Sequence, residues 1–136
     1  MAANPNGQIV LTGYSRGGRA AVVVANALGE AGIGVQALIL FDPHDFNDRV
    51  LRLEHGNVAN ALNFYQQNPT TSLLGENPFS GIPLAPYISG SPNHRRFTPA
   101  VIGGRDYTGE IEVGHLNIVR ESLRRHEVLI REALGP

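Results

Sequence analysis

Residues 8–41 restrict the fold more than any other part of the chain. "QIVLT", residues 8–12, is short, apolar and β-branched, the pattern of a buried strand. "RGGRAAVVVANALG", residues 16–29, reads as a helix that is apolar nearly all round between Ala20 and Leu28, so it is expected to be buried. "GEAGIG" closes it with glycine C-cap chemistry. "VQALILF", residues 35–41, is a second continuous apolar run. A strand, a helix and a strand in immediate succession make a βαβ unit. Such a unit requires parallel pairing and sets the class as α/β.

The rest of the 136 residues fits a single domain spanning 1–136. Hydrophobic residues make up 42% and charged residues 17%, a globular balance. The net charge of −1 gives no electrostatic basis for binding nucleic acid or an anionic membrane. All eleven basic residues are arginine, which excludes Schiff-base and P-loop lysine chemistry. The absence of cysteine excludes disulfides, thiolate catalysis and cysteine metal sites. No stretch reaches the roughly 18 apolar residues of a membrane span. "MAANPNGQ" lacks the basic and apolar pattern of a leader, so the chain reads as intracellular and cytoplasmic.

Downstream, residues 42–60 are polar. "VANALNFYQQ" fits either a third strand or a short helix. Residues 68–99 are rich in Pro, Gly, Ser and Asn, and a segment this long suggests a lid or pocket wall. "EIEV", residues 110–113, alternates as a strand does. Residues 117–134 read as one amphipathic helix with Ile118, Leu123, Leu129, Ile130 and Leu134 among its apolar positions.

"GYSRG", residues 13–17, sits between the first strand and the helix. It fits a G-x-S-x-G nucleophile elbow. A serine at such a tight turn takes a strained backbone conformation, and neighbours two residues away are expected to need no Cβ. Gly13 and Gly17 meet that need, and Gly18 lets the helix approach the strands. The turn presents Ser15 Oγ above the strand ends. The backbone N–H groups of Arg16 and Gly17 then lie at a helix N-terminus, where a developing oxyanion is stabilised.

An activated serine needs a base and a carboxylate to orient it. His115, in "EVGHLNIV", lies between an expected strand and helix, where α/β folds gather reactive groups. His94 falls in the irregular segment, and His44 and His55 flank an acidic patch. His126, amid "RRHE", reads as solvated surface. Asp42 directly follows the second apolar strand, and Pro43 fixes the chain direction after it. Asp45, Asp48, Asp106 and Glu110 are the alternatives. The expected triad is Ser15, Asp42 and His115.

"GYSRGG", "LILFDP", "VGHLNI" and the intervening "NVANALNFYQQN" together resemble the α/β-hydrolase superfamily, in particular bacterial lipases and esterases. The resemblance covers residues 8 to about 120. It implies a partial α/β-hydrolase-type parallel sheet with flanking helices. It further implies ester hydrolysis through an acyl-serine intermediate, with no metal or organic cofactor. The chain departs from that family in having only seven residues before its first strand and no HGGG-type segment for a second oxyanion donor. The Gly17 N–H, a hydroxyl of Tyr14 or Thr12, or a second subunit are the substitutes.

Strand 8–12 is expected to form an exposed sheet edge and to drive self-association. Small or medium acyl esters are the expected substrates. Leu73, Leu74, Phe79, Ile82, Leu84, Tyr87 and Ile88 are available either to line an acyl pocket or to pack as an ordinary loop. Two rival readings stand beside the hydrolase. One is a metal site built from His44, Asp45, Asp48 and His55. The other is a hydrolase-derived binding module that has lost activity.

Overall fold

A computed structural model describes residues 7–65, 81–85, 94–97 and 115–136. Strand β1 spans Val10–Tyr14, helix α1 Arg16–Glu30 and strand β2 Val35–Phe41. Strand β3 is Leu51–Arg52, β4 Val58–Phe64, β5 Leu84–Ala85 and β6 His94–Phe97. Helices α2, Ile118–Arg125, and α3, Glu127–Leu134, close the chain. The main sheet runs β1-β2-β4-β6 with every pair parallel. Strands β3 and β5 form a separate parallel pair. The "VANALNF" segment is therefore a strand. It extends the parallel layer of β1 and β2 by pairing with β2, and its apolar residues complete both faces of it.

Two apolar layers sandwich the sheet. On one side α1 packs against β1 and β2. Ala21, Val22 and Ala25 of the helix meet Leu38, Leu40 and Ala61 of the strands. On the other side Ile118, Ile130 and Ala133 cover Ala37, Ile39, Phe41, Leu62 and Phe64. Leu38, Leu40 and Leu62 are fully buried, and each such side chain contributes about 2 kcal/mol. Burial on both faces explains why β2 reads as a continuous apolar run and not an alternating one.

Four expectations change here. The first strand lies two residues further along than 8–12 and runs directly into the serine turn. Helix α1 is amphipathic, with Val23 and Val24 exposed, because it covers the sheet on one side only. The expected helix 117–134 is broken at His126, which serves as the C-cap of α2 and the N-cap of α3. Ile82 and Leu84, offered above as pocket-lining residues, are buried in the core beneath α1. Leu73, Leu74, Phe79, Tyr87 and Ile88, like the expected strand 110–113, lie outside the described residues.

Candidate active site

The sheet brings three turns to one end. Tyr14 pairs with Phe41 in register, so Ser15 and Asp42 are the first residues beyond two adjacent parallel strands. Backbone bonds tie these ends together. Ser15 N–H donates to the Phe41 carbonyl at 3.0 Å, and Asp42 N–H donates to the Phe64 carbonyl at 2.6 Å. The Ser15 carbonyl accepts from Gly18 N–H and from His44 N–H, both at 3.0 Å. The serine turn and the acid turn thus form one rigid unit.

Ser15 has φ 56° and ψ −124°, and Asp42 has φ 46°. These are the only described non-glycine residues with positive φ. Such conformations cost about 1–3 kcal/mol each and persist only where the surroundings impose them. Both fall on expected triad members. A Cβ at Gly13 would overlap the Gly17 carbonyl and lie 2.7 Å from Gly18 Cα. A Cβ at Gly18 would lie 2.6 Å from Pro43 Cβ. A Cβ at Gly17 would meet nothing within 4 Å, so the expected steric need at that position is absent. Close approach is required at 13 and 18, where helix α1 leaves the strand and passes the acid turn.

Asp42 is wholly buried, and its Oδ2 lies 2.7 Å from His115 Nδ1. The His115 side chain keeps 13% of its surface open. Tyr14, adjacent to Ser15, fixes the same imidazole. Its ring stacks on His115 with centroids 4.9 Å apart, and its hydroxyl donates to the His115 carbonyl at 2.7 Å. That hydroxyl is thereby engaged on His115 and is not aimed at an oxyanion. Burial, then the Asp42 charge, pushes the Tyr14 phenol above its ordinary range. With Nδ1 on the carboxylate, Nε2 is the nitrogen through which the ring could exchange a proton with a nucleophile. Arg16 and Gly17 open α1, and their backbone N–H groups have no intrahelical carbonyl to bond.

The other candidates separate. His44 lies edge-on to Phe46, over which the Arg16 guanidinium also sits. Asp45 pairs with Arg19 and accepts from Asn47 N–H. The backbone bond from Asn47 is the largest influence holding the Asp45 carboxyl below its ordinary range. His55 packs on Gly29 at the far end of α1. Among the described residues no three His, Asp or Glu side chains are arranged to hold a metal, so the four proposed metal ligands do not converge. His126 is not solvated surface; its ring stacks on Phe64, centroids 5.2 Å apart. Burial, then the Arg125 charge, lowers its basicity. An open groove of about 220 Å³ between α1 and residues 45–54 is walled by Arg19, Asn26, Asp45 and Glu54, and none of Ser15, Asp42 and His115 lines it.

Two residues at the site carried no recognisable signal in the sequence. Gly81 lies against the Asp42 carboxylate, and a Cβ there would overlap Asp42 Oδ1. Asn63, fully buried, donates its amide to the Ile82 carbonyl at 3.0 Å. A glycine in a proline-rich segment and an asparagine in an apolar strand are ordinary until the fold brings them together.

No family model, curated protein or solved structure matches this chain. The geometry alone carries the functional reading.

Proposed function

We propose that the chain is a serine hydrolase acting on carboxylic esters. The carrying observation is the 2.7 Å contact between His115 Nδ1 and the buried Asp42, assembled beside a serine held at positive φ. In this reading Ser15 Oγ attacks the acyl carbonyl and passes its proton to His115 Nε2. The imidazolium is stabilised by Asp42 and returns that proton to the leaving alcohol. The tetrahedral oxyanion faces the N–H groups of Arg16 and Gly17. Water, deprotonated by the same imidazole, then releases the acyl group and regenerates the serine. Small or medium acyl esters are the proposed substrates.

Incubation with a short-chain nitrophenyl ester and with a fluorophosphonate probe tests the reading. Labelling mapped to Ser15 and abolished in Ser15→Ala is the expected outcome. An intact fold with no labelling would instead identify a binding module and sink the hydrolase.

We also infer self-association. Among the described residues β1 pairs only with β2, and Val10 and Tyr14 are exposed along it. An apolar edge of this kind templates pairing with a second strand, and a second copy of the chain supplies one.

A further inference from the structure

We propose that Gly81 and Asn63 are positioning residues that clamp the Asp42 carboxylate against His115. The proposal rests on the hydrolase reading above and adds to it a part of the molecule that the triad does not include.

The argument starts from a burial problem. Asp42 is completely removed from solvent, and its Oδ2 lies 2.7 Å from His115 Nδ1. A carboxylate on a single rotatable bond could turn that oxygen away unless something fixes the other. Oδ1 is the oxygen against which Gly81 packs. The approach is so close that no other residue type fits at 81: a Cβ would overlap Oδ1 and lie 2.6 Å from Tyr65 Cβ. Gly81 has no positive φ to explain its identity, so proximity to the carboxylate is the physical reason for a glycine.

Gly81 is held there from two sides. Ile82 N–H donates to the Pro43 carbonyl at 3.0 Å, one residue beyond the acid. The Ile82 carbonyl accepts from Asn63 Nδ2 at 3.0 Å. Asn63 stands on β4 one residue before Phe64, whose carbonyl receives the Asp42 N–H. Strand β4, segment 81–82 and the acid turn therefore form a closed ring of backbone and amide bonds around the carboxylate. A fully buried amide such as that of Asn63 is costly unless its bond serves the structure. Here it anchors the segment that sets the acid's orientation.

The test is a double-mutant cycle, because a residue acting only through Asp42 has nothing left to act on once that carboxylate is gone. Esterase kinetics and fluorophosphonate inactivation rates are measured for wild type, Gly81→Ala, Asn63→Ala, Asp42→Ala and the two pairs with Asp42→Ala. Misplacement of a catalytic group by about 1 Å costs on the order of 100-fold. Gly81→Ala is expected to lower kcat by about 10- to 100-fold with KM within about twofold, and Asn63→Ala by about three- to tenfold. Neither loss should persist in the Asp42→Ala background. Thermal melts monitor the fold, and if Gly81→Ala fails to fold, Asn63→Ala decides. Wild-type kcat in a folded variant, or losses that multiply with Asp42→Ala, would overturn the clamp while leaving the hydrolase standing. A wild-type chain that no probe labels at Ser15 would remove both together.

Discussion

At residue 13 a methyl group would overlap the Gly17 carbonyl, while at residue 17 the same methyl would point into open space. The two glycines of the pentapeptide are thus unequal, although the sequence presents them as a symmetrical pair. Gly13→Ala is expected to destabilise the chain by more than about 3 kcal/mol, the range of a forced backbone displacement. Gly17→Ala, at an exposed helical position, is expected to raise stability by about 0.4–1 kcal/mol, since alanine restricts the unfolded chain. Denaturant melts of the two variants distinguish them. The three candidate positions were legible at this scale: Ser15, Asp42 and His115 each stand at an element boundary that local pattern marks. The residues that contact them were not. Tyr14 contacts His115 across 101 positions, and Gly81 reaches Asp42 through a segment with no periodicity. Only tertiary packing creates those pairs.

Among the elements, α1 and β2 follow closely from their sequence, because the apolar run and the glycine caps bound them. The C-terminal helix does not, since its amphipathic pattern continues through the break at His126. The break coincides with a long-range contact, the stacking of His126 on Phe64 of β4. Glu121 accompanies that break. It is 1% exposed and accepts from Arg120, Arg124 and Arg125, which gathers the last turn of α2 around a buried carboxylate. The histidine makes stability depend on pH. Its folded-state basicity is depressed by burial, so the unfolded chain binds the proton more readily, starting near pH 6.5. With more protons on the unfolded state, stability falls as pH drops below that value and is retained above it. Wild type should therefore lose more melting temperature between pH 7 and pH 5 than His126→Phe, which keeps the ring on Phe64 but cannot titrate. Equal losses would assign the pH dependence to other groups.

For the molecule as a whole, the α/β class and the parallel sheet could be read from the βαβ unit, because parallel pairing follows from the connection. The strand order β1-β2-β4-β6 and the second face of the sheet could not. They depend on β4, whose sequence suited helix and strand alike. The side of β1 that pairs with no other strand among the described residues carries the prediction that belongs to this scale. Light scattering across a concentration series should show a dimer or larger species, and Val10→Lys, which places a charge on the edge, should shift it toward monomer. A monomer at every concentration would mean that the edge is tolerated bare.

The backbone at position 15 would rest most easily with a hydrogen in place of a side chain. Any residue able to attack a carbonyl must carry a side chain. On the hydrolase reading proposed above, the fold and the chemistry therefore ask for different amino acids at one position of the chain. Selection for thermal robustness alone would drift toward glycine there and leave behind a sturdier, silent protein.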